Sequence, residues 1–176
     1  MMTKPDPIRP MLPTIVSAAL LSLLVAGPLS ACSQQATQRA SAVVVGEPAV
    51  HPVSGLQVIP LSVTAGGRTH EIRVEVAQSD QEQARGLMFR TAMGADEGML
   101  FPYDPPRVFS FWMKNTVIPL DLIFIGPDRR VINVAANATP YSEDPITSDA
   151  PGIAVLELIG GRAAELGIGP GAEVSW

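Results

Sequence analysis

From residue 56 onward the chain alternates between apolar and polar positions with a period of two. The arms LQVIPLSVTA (56–65) and RTHEIRVEVA (68–77) are separated by Gly66-Gly67, a pair that supplies the positive φ of a tight turn, so they read as a hairpin. In the second arm Ile72, Val74 and Val76 share one side, and Arg73 and Glu75 face the other. His70 has the apolar parity, but its place at the strand's start marks a rim residue. Ser79-Asp80-Gln81-Glu82 has the form of a capping box and predicts a short helix to about Leu87. GMLFPY (98–103) reads as a strand whose Met99 and Phe101 point to the core, as does Met88. Further strands are expected at 108–113, at 120–125, at 130–136 after the turn Gly126-Pro127-Asp128, and at 153–159. A second short helix, 162–166, is stopped by Gly167. Closely spaced strands with little helix predict a mainly β fold, a single compact sandwich or barrel-like domain with one or two short helices. Residues 139–152, with three prolines and three acidic side chains, are expected as a long solvated connection, or as a lid whose Tyr141 covers the Trp112 side.

The N-terminus follows a different pattern. Lys4 and Arg9 precede the mostly apolar run MLPTIVSAALLSLLVAGPL (11–29), which ends at Leu29-Ser30-Ala31-Cys32. A charged segment, an apolar segment and a small-residue cleavage site predict an export signal over 1–31. Pro13, Gly27 and Pro28 make the run a poor spanning helix. Cys32 is the only cysteine, so it has no disulfide partner within the chain. Leu-Ser-Ala-Cys resembles the lipobox of bacterial lipoproteins, which implies a lipidated Cys32 as the mature N-terminus and a membrane as partner through that lipid. Residues 32–55 are small, polar and broken by Pro and Gly, and are expected as a flexible tether to a domain spanning 56–176. The domain would then face the periplasm from a bacterial membrane.

The order ARGLMFR (84–90), GMLFPY, FWMKNTVIPLDLIFI (111–125), Val131-Ile132, and AVLEL followed by LGIGPGAEV (154–174) resembles the bacterial and archaeal family known as domain of unknown function 192. That resemblance implies a compact, β-rich single domain, often exported. It implies no reaction and assigns no catalytic residues.

Candidate chemistry is therefore read from the residues. FSFWMKNTVIPLDLIF (109–124) is strongly hydrophobic yet contains Lys114, Asn115, Thr116 and Asp121. Burying an ionised group costs several kcal/mol, so each charge needs a partner, a path to water or a ligand. Asp121 shares a strand face with Ile123 and Ile125, and Glu157 shares one with Ile153, Val155 and Ile159. With Arg85 and Lys114 these two carboxylates suggest one polar cluster beside Trp112. Asn115 suits a left-handed turn, and Pro119 prevents the segment from running on as a central strand.

Three readings follow. The first is a binding module for a small molecule or an envelope protein, with Arg85, Trp112, Lys114, Asn115, Asp121 and Glu157 as candidate ligand-binding residues. The second is a small hydrolase using Asp121, Glu157 and Lys114. The third is a structural interaction protein in which the cluster fixes the fold. A net charge of −5 argues against nucleic acid as a partner, because phosphate neutralisation needs a basic face. With only His51 and His70 beside one thiol, no metal and no other cofactor is expected.

Overall fold

The computed structural model describes residues 49–176. The expected export signal, Cys32 and most of the expected tether lie outside the described residues. Among the described residues no helix is long and apolar enough to cross a membrane.

The domain is mainly β with two short helices. Its strands are β1 (Ala49–Val50), β2 (Gln57–Ala65), β3 (Arg68–Val76), β4 (Glu97–Arg107), β5 (Ser110–Phe111), β6 (Leu120–Ile125), β7 (Val131–Ala138), β8 (Ile146–Thr147), β9 (Gly152–Ile159) and β10 (Glu173–Ser175). Helix α1 is Asp80–Arg85 and α2 is Arg162–Leu166. The main sheet runs β1-β2-β3-β4-β9-β6-β7, with β10 also paired to β2, and β5 and β8 form a separate ribbon. The hairpin forms as the Gly-Gly turn dictates, with Ala65 opposite Arg68. β3 and β4 are parallel, which requires a crossover, and α1 supplies it. The capping box forms in full: Ser79 Oγ accepts from the Glu82 amide, and the Glu82 carboxylate accepts from the Ser79 and Gln78 amides. The sheet is not a closed barrel; residues 129–131 meet 171–174 through the Arg130–Glu173 bridge and backbone hydrogen bonds such as Val131 N–H to the Ala172 carbonyl.

Apolar side chains cover both faces. On one face Leu61, Ile72, Val74, Leu100, Ile123 and Leu156 pack with Ala163 of α2. On the other, Met99, Phe101, Leu122, Phe124 and Val155 pack with Leu87, Phe109 and Met113. Two-sided burial explains why β6 and β9 read as nearly unbroken apolar runs, and why every residue of β6 is buried. Gly98 serves the β4–β9 pairing directly. A Cβ there would lie 2.7 Å from the Glu157 carbonyl oxygen, so only glycine allows the two strands to approach.

Three expectations change. Residues 49–55, expected as the end of a tether, belong to the domain: β1 pairs with Gln57 and Val58, and Ser54 Oγ donates to the buried Glu75 carboxylate. The strand expected at 108–113 shrinks to β5, because β4 runs on to Arg107 through Pro102, Pro105 and Pro106. The connection at 139–152 is not free. It contains β8, the Met113 amide donates to the Ser142 carbonyl at 2.8 Å, and the Phe109 amide donates to Ser148 Oγ at 2.9 Å.

Candidate functional site

Three carboxylates are buried among the described residues: Glu75, Asp121 and Glu157. Two are fully engaged. Glu75 pairs with Arg90 at 2.9 Å and accepts from Ser54, with His51 Nδ1 3.6 Å away. Asp121 accepts three backbone amides, from Asn137 (2.8 Å) and Gly161 (3.0 Å) on Oδ1 and from Ala163 (2.7 Å) on Oδ2. Glu157 differs from both, having no hydrogen bond and no ion pair among the described residues. Burial alone pushes its carboxyl up to about 8, so at neutral pH it is an undissociated acid able to donate one hydrogen bond.

Strand parity explains where that acid points. In the β6–β9 register Glu157 lies opposite Leu122 and Asp121 lies opposite Leu158. Leu122 belongs to the aromatic face and Leu158 to the face under α2. The sheet therefore sends the two carboxylates to opposite faces.

On the aromatic face Glu157 lines a cavity of about 310 Å³. α1 forms one side through Gln83, Ala84 and Arg85, and Tyr103, Arg107, Phe111 and Trp112 line other parts of it. Gln83 ties α1 to the sheet by donating to the carbonyls of Ala77 (3.2 Å) and Pro102 (3.0 Å). The aromatic wall is fixed by its own packing: Phe111 meets Phe101 edge-on at 5.4 Å and 85°, and Phe101 is fully buried. Trp112 stays 49% exposed, which leaves ring surface for a ligand. At the mouth the Arg107 guanidinium stacks over the Tyr103 ring at 4.1 Å. Burial raises the Tyr103 hydroxyl above its ordinary value against the lowering effect of Arg107, and charge on Glu157 would raise it further. The Arg85 guanidinium has no ion-pair or hydrogen-bond partner among the described residues. The site thus offers aromatic faces, a neutral acid at its floor and two guanidinium groups at its rim.

The structure brings together part of the expected cluster. Arg85, Trp112 and Glu157 line this one cavity, with Thr116 beside them. Lys114 does not: its Nζ lies 4.9 Å over the Trp112 ring and 3.8 Å from Glu143 on a half-exposed surface, where such pairs contribute little. Asn115 occupies the left-handed turn (φ 55°), and its side-chain nitrogen lies 3.8 Å from Met88 Sδ. Asp121 sits at a bulge, where Leu120 pairs with Ala138 but Leu122 with Ala135, and it ties this bulge to the start of α2. Asp121, Glu157 and Lys114 therefore do not form one cluster. The polar groups of this apolar segment are thus a half-exposed lysine, a turn asparagine, a threonine bonded to the Lys114 carbonyl and a structural aspartate.

Tyr103, Arg107 and Phe111 were not anticipated from sequence. The strand read at 98–103 already held Tyr103, but Pro105 and Pro106 obscured its continuation to Arg107, and only β4–β9 pairing places both near Glu157. The available signal was an aromatic and an arginine four residues apart in a segment rich in proline. Glu75 was expected on the open side of β3, but the 51–54 turn and Arg90 cover it from distant sequence.

Comparison with known proteins adds family and fold. A family model described as Uncharacterized ACR, DUF192, matches residues 61–176. A crystal structure of a protein of unknown function from Novosphingobium aromaticivorans DSM 12444 shares 57% identity, covering 75% of this chain and 94% of that one, with a TM-score of 0.73. A protein from Sinorhizobium meliloti 1021, provisionally assigned as a transcription regulator, shares 37% identity over 74% of this chain and 97% of that one, with a TM-score of 0.66. No curated protein matches the sequence.

Proposed function

Because this chain belongs to the DUF192 family, whose description assigns it no activity, we propose from its own residues that it is a binding module for a small, hydroxyl-rich ligand held above Glu157. The observation that carries this reading is the carboxyl of Glu157, which has no side-chain partner among the described residues and opens on a cavity. The Glu157 carboxyl oxygens are reached from the cavity, so the acid is free to donate to a ligand acceptor there. Ring faces of the ligand suit Trp112 and Phe111, its hydroxyls suit groups that both donate and accept, and an anionic substituent suits Arg85 and Arg107. The volume lies at the lower end of ligand pockets, roughly 300–1,000 Å³, which favours a ligand of about one ring in this cavity. The regulator assignment of the S. meliloti relative is not carried over, since a chain of net charge −5 lacks the basic excess that DNA phosphates require.

The test is ligand-detected NMR with a panel of neutral sugars, uronic acids and sugar phosphates. Binding is expected below pH 7 and should weaken as pH rises through about 8, because the ionised carboxylate can no longer donate. Glu157→Gln, which keeps a donor at every pH, should flatten that dependence, and Trp112→Ala should weaken binding. A panel that gives no binder, or a binder indifferent to both changes, would remove the reading.

We also propose that the domain is exported and anchored by a lipid. Lys4 and Arg9, the apolar run at 11–29 and the Leu-Ser-Ala-Cys sequence support export and lipidation at Cys32, with the domain held on the outer side of a bacterial membrane. Radiolabelled palmitate should enter the full chain and not its Cys32→Ser variant; equal labelling of both would contradict the anchor.

A further inference from the structure

A second cavity, of about 300 Å³, adjoins the first on the other side of α1. Arg85, Gly86 and Met88 line both. Gly86 keeps the boundary low. Its backbone (φ 46°, ψ −134°) is one that side-chain-bearing residues avoid, and a Cβ there would press on the Phe101 ring at 3.3 Å. Arg85 stands at the junction with its guanidinium unpaired among the described residues, placed to meet an anionic group that lies between the two cavities.

The second cavity also has an aromatic face and a side-chain amide; its other charged lining groups are engaged elsewhere, Glu82 in the capping box and Arg90 with Glu75. Gln81 lines it without a hydrogen-bond partner among the described residues, and Phe89 supplies an aromatic face that is 60% exposed. Phe89 adopts φ 63°, uncommon for a bulky residue, and its amide donates to the Asn115 carbonyl at 2.9 Å. The structure thus holds an aromatic ring outward, against backbone preference, at the edge of a cavity. Trp112 and Phe89 each offer ring surface, one in each cavity, and Arg85 lies between the two spaces.

We propose that the site takes an acidic sugar chain of at least two units, one above Glu157 and the next in the cavity lined by Gln81 and Phe89, with Arg85 engaging a carboxylate at the join. This rests on the ligand reading given above and extends it from a single ring to a chain. Two abutting spaces with aromatic faces and one shared cation suit repeating rings with repeating acidic groups better than one compact molecule.

Calorimetry on the full chain with mono-, di- and trigalacturonate below pH 7 tests it. The expected result is an affinity for the trimer at least about tenfold above that for the monomer. Phe89→Ala and Gln81→Ala should remove that gain while leaving monomer affinity and the thermal midpoint unchanged. If the monomer binds and length adds nothing, or the gain survives both substitutions, the second subsite is wrong and the single-ring reading stands. If no galacturonate binds, the acidic-chain inference fails, and the wider sugar panel decides the ligand reading independently.

Discussion

Replacing Glu157 with Gln is expected to raise the unfolding free energy by about 3 kcal/mol at pH 7 and to leave it nearly unchanged at pH 4. The sign follows from proton binding. The folded carboxyl holds its proton up to about 8, whereas the unfolded one releases it near 4.5. Between those values the folded state binds more protons than the unfolded state, so the wild-type protein loses stability as pH rises. The contribution is intact below pH 4.5 and is lost as pH climbs toward 8, where the difference levels off. Gln does not ionise, so the variant should show no such slope. Urea denaturation of both proteins across this range measures it. Parallel pH profiles would mean that Glu157 is solvated or paired, and the site would lose its basis.

Asp121 is expected to respond in the opposite direction. Asp121→Ala should destabilise by about 3 kcal/mol or more, because three amides lose their acceptor and the amide of buried Ala163 has no replacement. Asp121→Asn should fall between, since the oxygen that receives Asn137 and Gly161 can be kept while an NH2 group then faces the Ala163 amide. Hydrogen exchange locates the loss. Protection at Ala163, Gly161 and Asn137 should fall before protection in the hairpin of β2 and β3. A neutral or stabilising Asp121→Ala would show that α2 does not depend on this carboxylate. Similar residues on adjacent strands of one sheet thus carry changes of opposite sign, because one is satisfied by amides and the other faces a cavity.

Much of the fold was legible because local chemistry dictates it. Gly66-Gly67 sets the hairpin, the Ser79 and Glu82 box starts α1, and Gly167 at φ 67° ends α2. Period-two reading also placed Asp121 and Glu157 correctly against their strand neighbours. It could not state which faces coincide, because that depends on β9 inserting between β4 and β6, a pairing of distant segments. The expected single cluster failed for this reason. Similarly, Glu75 reads as outward-facing until the turn at 51–54 and Arg90 close over it. In the candidate site, Arg85, Trp112 and Glu157 were visible as unusual residues in apolar surroundings. Arg107 was not, since proline-rich sequence seldom continues as a strand, and Tyr103, though on the expected strand, meets Glu157 only through the β4–β9 pairing.

The ligand reading depends on Glu157 being an undissociated acid at the floor of an open cavity. Carbon-13 NMR titration of the glutamate side-chain carboxyl carbons, assigned by the absence of one signal in Glu157→Gln, tests it most directly. Glu157 should show a midpoint near 8, well separated from the other glutamates. A midpoint near 4.5, in the ordinary carboxylate range, would contradict it.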